Sequence, residues 1–383
     1  MIFSHISDTH LGLVQYGSEE REQDVYHTFN QAIDTSIKDH VDFVIFAGDI
    51  FHFPNPNGTA IVQMANALKR LKENNIDSFF ILGEHDISRI RTTPIPYVYH
   101  NLEFSKYIGQ GNITKYKDIL LVGFDKIRKG EIPQFEEKFA EIDKIVKNQS
   151  GHKIIVMHQG ITEFNKFAGE LPSTDLPKNF TYYAMGHLHD QTIKQFNHLK
   201  GPVAYPGSIE LTTSEGIKET KKGFYEVDIS QSEAKPNWVE LDTRPQFSFK
   251  VSYDDLAKSI QEISEKLVNF QRKPIVELKI TGDNIETDHI QNLVSRLNSL
   301  SLRCFWGVIS KKRDSSIYLE KPNIIDEELF KLAVDSLGSE RLASFAVKEL
   351  LPLLSTEQLK EAGLIIVENF EKYKKGKTID NIS

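Results

Sequence analysis

Cysteine is scarce in this sequence of 383 residues, which contains only Cys304. A single thiol excludes an intrachain disulfide and any metal site built from several thiolates, and it is typical of a reducing compartment. No run approaches the ~18 apolar residues of a transmembrane helix, and no charged leader with an apolar stretch follows Met1. We therefore expect a cytoplasmic protein without a membrane segment, whose metal ligands are histidine, aspartate, glutamate or asparagine.

An excess of positive charge is also absent. Lysine and arginine total 46 against 54 aspartates and glutamates, which gives a formal net charge of −8. No overall positive field attracts the chain to nucleic acid or anionic lipid, so a polyanion must meet a local basic patch or bound metal ions. With 39% hydrophobic and 26% charged residues, the composition is that of a folded chain and not a disordered one.

Short apolar runs alternate with helical patterns over residues 1–245, which predicts a layered α/β (α+β) domain. The first helical pattern predicts a helix near 21–39 that packs on a sheet. Its apolar face consists of Val25, Phe29, Ile33 and Ile37.

A smaller pattern of strand, helix, strand, helix, strand follows at 246–321 and predicts a separate small α+β domain. From 322 to 383 the pattern is helical only. The apolar residues between 326 and 367 suggest docking onto another chain, and packing on the protein's own core is the alternative.

Polar residues cluster where the apolar runs end. The clusters are Asp8-Thr9-His10, Gly48-Asp49, Gly83-Glu84-His85-Asp86, His158 and Gly186-His187-Leu188-His189. Strand ends at one edge of an α/β sheet are where sites assemble, and each Asp-x-His or His-x-His places two ligands on one segment. Each cluster alone is explained equally well by a turn or a solvated loop. Together they predict a two-metal site of imidazole and carboxylate ligands.

These five motifs resemble the signatures of the calcineurin-like metallophosphoesterases. Further stretches resemble archaeal nucleases of the Mre-eleven family of DNA double-strand break repair, and they lie at 157–160, 175–177, 182–189, 204–210 and 222–225. The resemblance covers 1–245 closely and rests on order and size in the remainder. It implies a layered αββα sandwich, a smaller α+β cap domain that orients DNA, and C-terminal helices that bind a partner.

The resemblance also implies seven metal ligands in two sets. One ion is held by Asp8, His10 and His189, a second by His158, His187 and Glu84, and Asp49 bridges the two. The family prefers manganese, so we expect two Mn²⁺ per chain, although zinc or iron also suits these ligand types.

Two such ions about 3.5–4 Å apart can clamp a phosphodiester during its hydrolysis. His85 resembles the family's catalytic histidine, which protonates the leaving 3′ oxygen, and histidine exchanges protons near neutral pH. His52 matches a family histidine near the scissile phosphate, with a water-exposed loop residue as the alternative. The resemblance thus implies a manganese-dependent DNA nuclease with 3′ to 5′ exonuclease and single-strand endonuclease activities.

At Glu84 the sequence departs from the family, which has asparagine there. An amide can bind metal and donate a hydrogen bond to phosphate, whereas a carboxylate only accepts. A liganding glutamate removes one unit of positive charge from the centre, which should weaken phosphodiester attraction and strengthen metal retention. We expect an active nuclease with altered metal dependence. The alternatives are a DNA-binding scaffold with catalysis weakened by Glu84, and a metallophosphodiesterase acting on a small substrate.

Three kinds of partner follow from the resemblance. Double- and single-stranded DNA should bind through its phosphates without sequence preference, and the candidate contacts are Arg89, Arg91, Lys126, Arg128, Lys129 and Lys311-Lys312-Arg313. A homodimer should form through the helix near 58–74 and residues 90–105. A coiled-coil ABC-type ATPase should bind the C-terminal helices, where 326–367 supplies the apolar face.

Overall fold

The computed structural model describes most of the chain. The described residues are 1–88, 93–128, 130–165, 169–212, 215–282, 285–309, 333–334, 339–351, 363, 365–367 and 369. Arg89, Arg91, Lys129 and Lys311-Lys312-Arg313, which the sequence analysis proposed as DNA contacts, lie outside this set, as does most of the proposed partner-binding region.

Two mixed sheets form the central layers of the first part of the chain. Their strands are β1 (Ile2–Ile6), β2 (Phe43–Ala47), β3 (Asp77–Ile81), β4 (Lys106–Tyr107), β5 (Gln110–Tyr116), β6 (Ile119–Phe124), β7 (Lys153–His158), β8 (Tyr182–Gly186), β9 (Thr192–Lys194), β10 (Val203–Tyr205), β11 (Lys222–Asp228) and β12 (Lys235–Leu241). One sheet has the order β12-β11-β1-β2-β3-β4 and the other β5-β6-β7-β8-β10-β9. Because β1, β2 and β3 run parallel, as do β6, β7 and β8, the carboxyl ends of each set lie at one edge of their sheet.

Helices cover the outer face of each sheet. They are α1 (Glu19–Lys38), α2 (Gly58–Glu73), α3 (Tyr97–Asn101) and α4 (Glu136–Lys147), with short 3₁₀ turns at Gln15–Gly17, Ile132–Phe135 and Ser173–Asp175. Three apolar residues of the predicted α1 face, Val25, Phe29 and Ile33, are buried in one core with α2. The apolar residues of α4 join a second core on the other sheet. The fourth residue of the α1 face, Ile37, packs against its core while partly buried.

A third core fills the space between the sheets, and its residues come from the inward faces of both. Every residue of β2 and β7 is buried, as expected for parallel strands covered on both faces. These layers confirm the predicted αββα sandwich.

Local sequence signals account for where the long helices start. Residue Asn57 caps α2, since its side-chain Oδ1 accepts a hydrogen bond from the backbone N of Ala60 at 2.8 Å. Helix α1 carries Glu19, Glu20 and Glu22 in its first turn, where negative charge interacts favourably with the helix dipole.

The predicted smaller pattern is present after β12. Strands β13 (Gln246–Ser252), β14 (Ile275–Thr281) and β15 (Arg303–Ile309) form a three-stranded sheet in that order. Helices α5 (Leu256–Leu267) and α6 (Thr287–Val294) alternate with its strands, and a 3₁₀ turn, Ser295–Ser299, follows α6. Further on the chain forms α7 (Glu340–Phe345) and a π-helical turn, Ala346–Leu350.

The structure divides into two compact units, each of which combines segments that are separate along the chain. One contains 1–248, 262–276 and 295–304, and the other contains 249–261, 277–294 and 305–383. The boundaries 1–245, 246–321 and 322–383 therefore stay predictions. Within the described residues, no helix has both the length and the apolar character needed to cross a bilayer.

A buried ion-pair network centres on Asp24 of α1. Its Oδ2 accepts hydrogen bonds from Arg21 at 2.6 Å and from Arg244 at 2.5 Å, and its Oδ1 accepts a second bond from Arg244 at 2.9 Å. Arg21 also contacts Glu210 at 3.1 Å. The network thus ties α1 to the segment that follows β12.

We expect Asp24→Ala to lower the free energy of unfolding by about 3–5 kcal/mol, because it leaves the buried guanidinium of Arg244 without a carboxylate partner and that of Arg21 with Glu210 alone. Urea unfolding followed by circular dichroism measures the change. The matched control is Glu73→Ala, whose carboxylate is 60% exposed and lies 3.7 Å from Lys69, and which should cost under ~0.5 kcal/mol. Equal losses in the two variants would contradict a central role for Asp24.

Candidate metal centre

The predicted site residues follow the ends of parallel strands from both sheets. Asp8 and His10 come after β1, Asp49 after β2, and Glu84 and His85 after β3, while His158 ends β7 and His187 and His189 come after β8. The sandwich brings these separate segments together.

Four of these residues adopt an unusual backbone conformation. The φ angles are 52° at Asp8, 44° at His10, 49° at Asp49 and 94° at His187. Side chains other than glycine rarely occupy this left-handed region, and such strain concentrates at functional sites. The sharp turn after each strand aims the side chain into the site.

Two glycines allow the strand ends to approach one another closely. A Cβ atom at Gly83 would lie 2.0 Å from Oδ1 of Asp49, and one at Gly48 would lie 2.4 Å from Nδ1 of His158. Neither position has space for any side chain, so the glycines before the polar residues are a packing requirement of the site.

One group of potential metal ligands contains Asp8, His10 and His189. Their ligand atoms lie within 4.8 Å of one another. Nε2 of His10 is 3.1 Å from Nε2 of His189, which is 3.8 Å from Oδ1 of Asp8. Burial lowers the pKa of His10 well below its ordinary value, so its imidazole is neutral, the form that binds metal.

A second group contains Glu84, His158 and His187. Oε1 of Glu84 is 2.9 Å from Nδ1 of His187, and its Oε2 is 3.0 Å from Nε2 of His158. Each carboxylate oxygen thus faces one imidazole. The side chain of Glu84 therefore points into the site, in an arrangement that could hold a cation.

Asp49 lies between the two groups. Its Oδ2 is 3.3 Å from Nε2 of His158 and 3.9 Å from Nε2 of His10. Its Oδ1 accepts a hydrogen bond from the backbone N of His85 at 2.9 Å, which holds the carboxylate in this position. A single oxygen facing both groups is the geometry that a bridging ligand requires.

The hydrogen bonds of His158 suit a metal ligand. The carbonyl oxygen of Ala47 lies 2.8 Å from Nδ1 and can only accept, so Nδ1 carries a proton and Nε2 faces the carboxylates. Among the described residues, buried Nε2 has no hydrogen bond of good geometry. Metal-binding histidines are commonly oriented by a carbonyl group in this way.

Electrostatics show that the buried carboxylates need positive charge. Burial raises the pKa of Asp8. Burial also opposes ionisation of Asp49, but His158 outweighs it, and the pKa of Asp49 falls below its usual range. Burial lowers the pKa of His158, yet Asp49 and Glu84 raise it well above its ordinary value. Divalent cations supply such charge more effectively than protons, so the donor set fits a metal centre.

His85 and His52 lie beside the first group. Nδ1 of His85 donates to the carbonyl oxygen of His52 at 2.7 Å, and the two rings stack with centroids 5.1 Å apart. Nδ1 of His52 is 3.4 Å from Nδ1 of His10. Burial, followed by the charge of His85, lowers the pKa of His52 to about 4. His52 is half-buried beside His10 and His85, and its role in the site stays a prediction.

Sequence reasoning assigned no site role to Glu215. Its Oε2 lies 3.5 Å from Nδ1 of His189, and its Oε1 bonds to Nζ of Lys222, which also donates to the carbonyl oxygen of His189 at 2.8 Å. Glu215 belongs to no motif, and only the folded chain brings it to His189. Oγ1 of Thr212 lies 3.0 Å from the same Nδ1, so the hydroxyl and the buried carboxylate orient the imidazole of His189, while Lys222 holds its backbone.

Lys126 also belongs to the site. We expected a basic side chain on a DNA-binding surface, but it is 10% exposed and lies 2.7 Å from Glu170 and 3.6 Å from Glu84. The sequence shows that Lys126 is charged, but it does not show that Glu84 and Glu170, from other segments of the chain, are its partners.

Comparison with known proteins places the chain in a class. The family described as calcineurin-like phosphoesterase matches residues 1–191. A solved dimetal phosphatase from Danio rerio is 12% identical, with a TM-score of 0.42 over 63% of this chain and 98% of that one. The sandwich and its two ligand groups agree with the family match: residues 1–191 form a calcineurin-like phosphoesterase domain.

Similar sequences define the family within that class. A DNA double-strand break repair protein Mre11 from Thermoplasma acidophilum is 32% identical and covers 90% of this chain and 92% of its own length. The protein of the same name from Sulfurisphaera tokodaii is 28% identical, with coverages of 92% and 97%. The chain belongs to the Mre11 family, and it is a metal-dependent phosphodiesterase.

We expect Glu215→Gln to weaken Mn²⁺ binding by about 10–100-fold, because a neutral amide beside Nδ1 no longer raises the basicity of the His189 imidazole. Isothermal titration calorimetry with MnCl₂ measures the affinity. The control is Glu219→Gln, which removes a 64% exposed carboxylate four residues further on and should bind Mn²⁺ like the wild type. Equal affinities for all three proteins would show that Glu215 does not support the centre.

Proposed function

We propose that the protein is a manganese-dependent DNA nuclease of double-strand break repair, with 3′ to 5′ exonuclease and single-strand endonuclease activities. The observation that carries the proposal is the pair of three-residue ligand groups joined by Asp49. Membership of the Mre11 family supports DNA as the substrate. We propose, on the same grounds, that the protein acts in the cytoplasm in association with DNA.

In this proposal the ligand roles are those that the resemblance implied. Asp8, His10 and His189 hold one Mn²⁺, and His158, His187 and Glu84 hold the other, with Asp49 bridging. Two such ions, when bound, would supply an activated water molecule and positive charge for the phosphodiester. Oxygen and nitrogen ligands without thiolate suit Mn²⁺.

The protein's own side chains position the groups that move protons. Because the carbonyl of His52 accepts from Nδ1 of His85, Nε2 is the atom left to carry a proton to the leaving 3′ oxygen. The stacked ring of His52 limits rotation of His85. In this role His85 is the general acid, and His52 positions it and contacts the substrate near the scissile phosphate.

The position of Glu84 weighs against the scaffold alternative. A side chain that had lost its metal role need not face two imidazoles, yet both oxygens of Glu84 do so, at 2.9 and 3.0 Å. We therefore infer that Glu84 ligates, in place of the asparagine that the resemblance implies. The small-substrate alternative is disfavoured because the relatives named above are DNA repair proteins.

Exposed apolar side chains support the proposed homodimer. Val62 of α2 is 54% exposed, and Val98 and Leu102 at α3 are 45% and 60% exposed. The hydroxyl of Tyr99 donates to the carbonyl oxygen of Ile61 at 2.9 Å, which holds α3 against α2. The two helices are thus in contact, and each carries exposed apolar groups, which suits contact with a second copy of the chain.

The C-terminal region is proposed to bind the coiled-coil ABC-type ATPase. Its described apolar residues include Leu342 and Leu351, which are 50% and 44% exposed, and Val367, which is 61% exposed. Nonspecific DNA binding is proposed to use basic side chains such as Arg128, which is 70% exposed.

We expect His85→Ala to lower the rate of DNA hydrolysis in Mn²⁺ by about 10²–10⁴-fold, because the leaving oxygen loses its acid. A chromogenic nitrophenyl phosphodiester, whose leaving group needs no proton, should lose far less. Labelled duplex and single-stranded DNA, together with calorimetric Mn²⁺ affinity, give the readouts. His27→Ala, at a 53% exposed side chain, is the control. Lost Mn²⁺ affinity, or equal losses on both substrates, would contradict the acid role.

We expect deletion of 326–383 to abolish binding to the coiled-coil ATPase, since it removes the proposed apolar docking segment, and to leave Mn²⁺-dependent nuclease activity in place. Co-sedimentation with the ATPase and a nuclease assay on the same preparation measure the two properties. Retained binding would refute the docking assignment.

A further inference from the structure

An ammonium group lies directly behind one of the proposed metal ligands. Nζ of Lys126 is 3.6 Å from Oε2 of Glu84 and 3.3 Å from Nε2 of His187. The side chain of Lys126 is only 10% exposed, so water screens its charge weakly. A positive charge beside a centre for divalent cations repels those cations, so the position of Lys126 lowers metal affinity unless another charge compensates it.

The surrounding residues hold this ammonium in place. Oε2 of Glu170 accepts a hydrogen bond from Nζ of Lys126 at 2.7 Å. The same oxygen accepts from Nε2 of Gln159 at 2.6 Å and from the backbone N of Gly160 at 3.3 Å. Because Glu170 accepts hydrogen bonds from three donors, it holds the Lys126 ammonium in place beside Glu84 and His187.

Three carboxylates, Asp8, Asp49 and Glu84, contribute ligand atoms to the centre. Each of them reduces the positive charge that two divalent cations present to a phosphodiester. Lys126 contacts Glu84, the most exposed of the three, with a side chain that is 38% exposed. It is thus placed where it offsets one ligand charge without taking up a coordination position.

We propose that Lys126 is a positioning residue that sets the charge of the centre, by compensating the negative charge of Glu84. The inference rests on the proposed function, because Glu84 must ligate for its charge to matter. In this arrangement the Glu84 carboxylate keeps metal bound, and the Lys126 ammonium restores the attraction for the phosphodiester anion.

The proposal predicts opposite effects for two single substitutions. Lys126→Met removes the positive charge at nearly constant volume, so Mn²⁺ should bind about tenfold more tightly and kcat/KM for a phosphodiester should fall about tenfold. Glu84→Gln removes the negative charge at constant shape, so Mn²⁺ should bind about tenfold more weakly. The double variant should return to within about threefold of the wild type in Mn²⁺ affinity.

The experiment uses the full-length protein. Calorimetric titration with MnCl₂ and steady-state hydrolysis of bis(p-nitrophenyl) phosphate are measured for the wild type, both single variants and the double variant. Lys126→Arg retains the charge and should resemble the wild type. Thermal unfolding of each variant shows that it is folded.

Glu170→Gln separates a charge effect from a packing effect. Its amide oxygen can still accept from Lys126, and the lost negative charge should weaken Mn²⁺ binding, opposite to Lys126→Met. If Lys126 only fills space, loosening it through Glu170→Gln should act in the same direction as Lys126→Met.

Two results would overturn the inference: weaker Mn²⁺ binding in Lys126→Met, or a double variant that departs further from the wild type than either single variant. Failure of the proposed function looks different. A wild type that binds Mn²⁺ and hydrolyses neither DNA nor the chromogenic ester would refute the nuclease, while the calorimetric comparison would still decide the role of Lys126.

Discussion

The metal centre depends on positive charge that offsets the mutual repulsion of its carboxylates. Asp8 and Asp49 are almost wholly buried, and Glu84 joins them through His158. Burying such groups is costly unless positive charge accompanies them. A protonated His158 can supply part of this charge, as its raised pKa shows, and two divalent cations would take over that role once His158 binds metal in its neutral form. The negative charge of these carboxylates therefore explains both the shifted pKa values of the site and its proposed use of two cations in catalysis.

The fold provides the rigidity that this arrangement requires. Strands β2 and β7 are buried along their whole length, so the residues at their ends inherit fixed positions. The left-handed conformation of Asp8, His10 and Asp49 then turns each side chain inward. Beyond these residues, Glu215 and Lys222 hold His189, and Glu170 holds Lys126. Strain in the turns is tolerated because the packed sandwich stabilises them.

A layered α/β domain and a site of imidazole and carboxylate groups were predictable because both have local signatures, whereas the αββα arrangement and the seven proposed ligands were implied by the resemblance to a family. Apolar runs predict strands, and polar residues directly after those runs lie at the edge where parallel strands end. The buried face of α1, with Val25, Phe29 and Ile33, was predictable for the same reason, because apolar residues that recur with the helical period lie on one side of the helix. Local patterns do not predict the two compact units, because each unit joins segments that are distant along the chain.

What the sequence by itself determined is which side chains are able to bind a metal and the order along the chain of the strands that precede them. Tertiary structure alone decided that one oxygen of Asp49 faces both groups, that Glu84 meets His158 and His187, and that Lys126 is buried among carboxylates. The reason is physical: a sequence records which charges exist, but the energy of a charge depends on its distance from others and on exclusion of water. Both are properties of the folded chain.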